Sequence, residues 1–132
     1  MDGLARPLMH LDTHVLVWLY AGDSARVPPS IRSRIAREAP VISPMVAVEL
    51  QLLHEIGRLQ EPARAVLDDL EARIGLTLDP TASGAAAAAA LTLNWTRDPF
   101  DRLIVATALA AGKQLATRDE TIRANFPLAV WD

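Results

Sequence analysis

Cysteine is absent from this 132-residue chain, which excludes a disulfide framework, a thiol nucleophile and any thiolate-bound metal. That absence fits a reducing compartment, and the cytoplasm is the expectation. Lysine occurs once, at Lys113, so twelve of the thirteen basic residues are arginine. Against them stand sixteen acids, and the formal net charge of −3 argues against a constitutive, high-affinity nucleic-acid binder. No apolar run approaches the roughly 18 residues that a membrane-spanning helix requires. The opening MDGLARPLMHLDTH lacks a basic segment followed by a long apolar one, so neither secretion nor a membrane partner is expected. No internal repeat and no flexible linker divides the chain. The alanine run at 85–90 is the only low-complexity segment, and helix propensity explains it.

What is present is an ordinary globular balance, with 51% hydrophobic and 22% charged residues, enough for one domain with a real core. Residues 1–8 read as a short N-terminal extension and 9–132 as the domain, with Met9 an alternative initiator. Short strands alternate with longer helices. Strands are expected at 8–11, 40–42, 76–78, 114–117 and 127–131. Helices are expected at 13–21, 29–37, 44–56, 61–74, 81–94, 99–111 and 119–125. Ser43-Pro44 and Asp98-Pro99 are strong helix starts, and Gly57 and Gly75 are stops. The alternation predicts a three-layer α/β sandwich with a short, mainly parallel central sheet.

Four acids stand where apolar runs break into helix-start chemistry: Asp12, Glu49, Asp101 and Asp119. Asp12 and Asp119 follow predicted strands, at the edge where open α/β sheets gather ligands. Glu49 shares a helical face with Val46 and Leu53, and Asp101 with Val105 and Ala108, so both should point inward. Inward carboxylates are costly unless compensated, and a hard divalent cation compensates several at once. Each acid also has a structural reading. Asp12 and Asp119 fit helix caps, Asp98 fits an N-cap before Pro99, and Glu49 could pair with a buried arginine. Asp98 is assigned mainly to capping. Taken together, the acids favour a metal-dependent hydrolase.

The segments LDTHVLVWL, SPMVAVEL, RDPFDRLIVATAL and LATRD resemble the PIN domain, and more closely the VapC-type toxins of bacterial toxin–antitoxin pairs. The resemblance runs from about Met9 to Trp131, with the four acids in family order. It implies a PIN-like sandwich and an endoribonuclease dependent on Mg²⁺ or Mn²⁺, with Asp12, Glu49, Asp101 and Asp119 as catalytic and metal-binding residues. It also implies Thr117 as a supporting hydroxyl, an RNA substrate, homodimerisation and inhibition by a small cognate antitoxin. Arg97, Arg102 and Arg118 flank the acids and either grip substrate phosphates or balance local charge. His10, His14 and His54 are dispersed, and none is assigned as a base. Trp18, Trp95 and Trp131 read as packing residues. The helix carrying Met45, Val46, Leu52 and Leu53 is apolar nearly all round, as expected of one buried in the core or under a partner. Two other classes share the pattern. A haloacid-dehalogenase-like phosphatase wants a second Asp where His14 stands, and a non-catalytic α/β interaction module would use the acids for regulation.

Overall fold

In the computed structural model, which describes residues 8–132, strand β1 (His10–Leu11) runs straight into helix α1 (Thr13–Tyr20). A 3-10 turn (Ser24–Arg26) leads on to α2 (Pro29–Arg37), β2 (Val41–Ile42) and α3 (Pro44–Glu55). Then follow α4 (Ala63–Ile74), β3 (Thr77–Leu78), α5 (Ser83–Ala90) and α6 (Pro99–Ala111). The chain ends with β4 (Leu115–Ala116), α7 (Glu120–Asn125) and β5 (Ala129–Val130). Of the expected extension at 1–8, residues 1–7 lie outside the described residues, and Met9 beyond it is fully buried in the core.

The strands form one sheet in the order β3-β2-β1-β4-β5, and every pairing is parallel. Parallel crossovers are right-handed. The sheet grows one way from β1 to β3 and the other way from β4 to β5, so helices cover both faces and the expected three-layer sandwich results. The ladder is longer than the two-residue strands suggest: Asp12 N–H donates to Ala116 C=O at 3.0 Å, and Thr117 N–H to Val130 C=O at 3.0 Å. Leu11, Ile42 and Leu115 bring the strands into a core closed by Leu16, Leu50, Leu70 and Ile104. Helices α1, α3 and α4 pack on one another, and α5 lies along α6, where Ala86 and Ala90 are small enough to be buried between them.

Local chemistry sets the helix ends. The Ser43 hydroxyl accepts the Met45 N–H and Pro44 opens α3; the Asp98 carboxylate accepts the Phe100 and Asp101 N–H groups and Pro99 opens α6. Gly75 and Gly112 close α4 and α6 at φ 71° and 67°, a conformation that suits glycine. Helix α4 begins two residues later than expected, because Pro62 restricts Glu61 to extended backbone. Helix α5 is much shorter than the expected 81–94. Its alanines have helix propensity but no side-chain cap at the start, and after Ala90 the chain tightens into turns.

Trp18 is buried and its ring lies 6.0 Å from that of Trp131, while Trp95 and Trp131 pack half-buried against the core. On α3, Val46 and Leu50 are buried, but Val48, Leu52 and Ile56 are 46%, 41% and 65% exposed. Among the described residues no helix is long and apolar enough to cross a membrane.

Candidate metal centre and active site

Strands β1 and β4 are neighbours whose chains leave in opposite directions around the sheet, and such a switch point opens a crevice beyond the strands' carboxyl ends. Asp12 stands at the end of β1 and Thr117 at the end of β4. The Asp12 carboxylate, 4% exposed, accepts the Thr13 N–H at 2.8 Å and the Thr117 hydroxyl at 2.6 Å. The Thr117 oxygen in turn accepts the Asp119 N–H at 3.0 Å, and the Asp119 carboxylate caps α7 by accepting the Ile122 N–H at 2.8 Å. Both acids are therefore caps. That does not exhaust them, since each carboxylate oxygen has a further lone pair to offer.

Glu49 reaches this group through a residue the sequence reading passed over. The Thr13 hydroxyl donates to Glu49 Oε1 at 2.5 Å, so the residue that opens α1 fastens an acid in the second turn of α3. The pairing joins positions 36 apart and depends on helix rotation; the only signal was a hydroxyl next to Asp12 on the first helical turn. Asp98 is exposed at the N-cap of α6, and Asp101 sits three residues on, half-buried. Among the described residues no hydrogen bond reaches the Asp101 carboxylate.

Electrostatics ties Asp101 to the others. Burial first, then the charges of Asp98, Asp12, Asp119 and Glu49, push its pKa up to about 7. Burial likewise raises Asp12 and Glu49; the Thr117 and Thr13 hydroxyls oppose this, and Asp119 adds to the rise at Asp12 as Asp12 does at Glu49. Neighbouring carboxylates that repel one another, with only oxygen to offer, suit a hard divalent cation such as Mg²⁺ or Mn²⁺. Among the described residues, no three acids or histidines stand close enough to form a ready ligand cluster.

The flanking arginines differ. Arg102 donates from Nε to the Ala90 carbonyl at 2.9 Å and from Nη1 to the Thr96 carbonyl at 3.3 Å, which ties the end of α5 to α6. Arg118 is exposed with its guanidinium 6.0 Å over the Trp18 ring, and Arg97 is exposed beside Asp98. Among the histidines, His14 is exposed with its ring 6.1 Å from that of Trp18. His54 meets the Leu59 carbonyl at 3.0 Å. His10 is fully buried and joined to the buried Asp79 at 2.7 Å. Burial opposes charge on Asp79, but the Thr81 N–H and His10 outweigh it and hold the carboxyl below its ordinary range. Asp79 is thus a structural acid at the end of β3.

Comparison with known proteins gives the family. The PIN domain family matches residues 9–125, and the chain belongs to that family. The chain is 32% identical over 127 residues to ribonuclease VapC22 of Mycobacterium tuberculosis (strain ATCC 25618 / H37Rv), covering 92% of this chain and 96% of that protein. Its fold is similar to a chain in the crystal structure of VapBC2 from Rickettsia felis bound to a DNA fragment from their promoter. The TM-score is 0.69 at 20% identity, covering 95% of this chain and 99% of the other.

Proposed function

We propose that this protein is an endoribonuclease dependent on Mg²⁺ or Mn²⁺ and the toxin of a toxin–antitoxin pair. Family membership and the likeness to a VapC ribonuclease support the activity. Membership also leaves the haloacid-dehalogenase-like alternative without support. The observation that carries the metal reading is the grouping of acids beyond β1 and β4, with Asp12 and Asp119 joined through Thr117 and Glu49 tied to Thr13 beside Asp12.

Asp12, Glu49, Asp101 and Asp119 are the proposed metal ligands. A bound divalent cation would supply an activated water for in-line attack and offset the charge developing on the phosphodiester. Thr117 holds Asp12 and Asp119 in register, Thr13 holds Glu49, and Asp98 fixes the first turn of α6 beneath Asp101. Arg97 and Arg118 have exposed guanidinium groups for phosphate oxygens. Arg102 holds two helices together, and its proposed role is to position Asp101.

The proposed partners are RNA, a second copy of the chain and a small antitoxin, all met in the cytoplasm. The exposed stripe Val48, Leu52 and Ile56 on α3 gives the protein partners an apolar surface to cover. The Rickettsia felis structure of similar fold is of VapBC2 bound to promoter DNA, in keeping with a protein partner.

Purified protein should cleave RNA with Mg²⁺ or Mn²⁺, stop in EDTA, and recover when metal is restored. Asp12→Asn, which keeps shape and removes charge, should remain folded and inactive. Robust cleavage by that variant, free of contaminating nuclease, would refute the assigned role.

A further inference from the structure

Beside the carboxylates lies a cleft of about 530 Å³ lined by His14, Trp18, Arg118, Asp119, Glu120 and Arg123. It opens between α1 and α7, and the proposed ligand Asp119 forms part of its wall. Arg123 is exposed and, among the described residues, its side chain makes no ion pair or hydrogen bond. Among the described residues Arg118 makes no ion pair with a carboxylate, and it rests over the Trp18 ring, a cation–π contact that narrows where its guanidinium can point. Trp18 itself is only 9% exposed, with Arg26 5.5 Å over its ring, so it serves as floor rather than stacking platform. The exposed aromatic face is the neighbouring imidazole of His14.

The walls carry two guanidinium groups, Arg118 and Arg123, against the carboxylates of Asp119 and Glu120. If Asp119 held a divalent cation, as the proposed function has it, only Glu120 would offset the two arginines. The cleft would then favour an anion beside the carboxylates.

We propose that this α1–α7 cleft is a nucleotide subsite that holds the single-stranded RNA next to the scissile bond, with Arg123 on a backbone phosphate and His14 stacked on a base. The proposal rests on the ribonuclease reading and adds a direction to it: the bound strand leaves the carboxylates toward α7, away from α5 and α6. Arginine recognises phosphate by charge-assisted hydrogen bonds, and a planar imidazole offers a stacking face to any base. Specificity from this subsite would therefore be weak in sequence and strong in strandedness.

Binding is read in the intact protein with Ca²⁺, a hard divalent cation that carboxylates hold, using a labelled single-stranded RNA of about a dozen nucleotides whose integrity is checked on a gel. Arg123→Ala and His14→Ala should each raise the Kd by roughly fivefold or more. Arg123→Ala should also flatten the dependence of log Kd on log salt by about 0.7. His14→Phe, which keeps a stacking ring, should retain binding that His14→Ala loses. With Mg²⁺ or Mn²⁺ in place of Ca²⁺, Arg123→Ala should raise KM and leave kcat near its parental value. Arg58→Ala, at an exposed position in the turn after α3 and outside the cleft, should change nothing. If the intact protein cleaves RNA while Arg123→Ala and His14→Ala bind with parental Kd and salt slope, the subsite is wrong and the ribonuclease reading stands. If the intact protein with Mg²⁺ or Mn²⁺ cleaves no RNA, both fall together.

Discussion

Asp101 has a backbone well anchored by Asp98 and a carboxylate that no hydrogen bond reaches among the described residues. Burial and then the charges of Asp98, Asp12, Asp119 and Glu49 push its pKa up to about 7. A carboxyl raised in this way holds its proton more tightly in the folded chain than in the unfolded one. Between the ordinary carboxylate range and pH 7 the folded state therefore binds more protons, and metal-free stability falls as pH rises through that window. Asp12 and Glu49 are raised for the same first cause, burial, and work in the same direction. A cation competes with these protons, so its stabilising effect should grow toward pH 8. Asp101→Asn removes one repelling charge. Discounted for partial exposure, the gain is on the order of 1–2 kcal/mol, or about 3–6 °C in Tm. Melts in EDTA should show that gain at pH 8 and almost none at pH 5. Equal shifts at both values would mean that the carboxyl is not under electrostatic tension.

Between elements, single hydroxyls do the joining. Thr117 is fully buried at the end of β4, donating to Asp12 beyond β1 and accepting from the Asp119 N–H before α7. Thr117→Val keeps the shape and leaves a buried carboxylate oxygen and an amide unpaired, at a cost of roughly 1–3 kcal/mol. Thr117→Ser should restore both stability and cleavage. Denaturant melts in EDTA alongside RNA cleavage check this, and a valine variant as stable and active as the parent would refute the joining role. The sequence shows why Thr117 could be noticed and Thr13 could not. The family resemblance marks Thr117, the hydroxyl two residues before Asp119, whereas Thr13 meets Glu49 only because α1 and α3 pack with a particular rotation. The same contrast runs through the helices. The bounds of α6 were legible because Asp98-Pro99 and Gly112 write both ends into local chemistry. The sequence predicts α5 too long because alanine favours helix without saying where to stop, and the Arg102 contact with the Ala90 carbonyl at its end is tertiary. Sheet order was not legible from local pattern: strands of two residues carry too little periodicity, although their hydrophobicity and spacing gave the parallel alternation.

In the folded molecule an apolar stripe remains uncovered along α3 and its C-cap. Val48, Leu52 and Ile56 recur every four residues along one face, exposed while Val46 and Leu50 fill the core from the other. The sequence reading expected this helix to be buried in the core or under a partner, and within one chain only half of it is buried. Scattered apolar residues need no explanation, but a stripe at helical spacing is what a partner helix or groove would cover. The acidic site supplies a second handle, since without metal its carboxylates would attract an arginine or lysine carried by that partner. Covering the stripe and filling the site together would silence the proposed nuclease. Expressed alone, the intact protein should arrest growth, and co-expression with its proposed antitoxin should relieve the arrest and copurify the two products. Leu52→Glu lies on an exposed position, so the fold and cleavage of RNA should survive while copurification and relief are lost. Growth curves with and without the partner, read beside pull-downs, decide the matter. Full relief of the Leu52→Glu toxin would move the partner's docking surface off α3, and equal growth of cells making the intact toxin with or without the partner would point to a housekeeping nuclease.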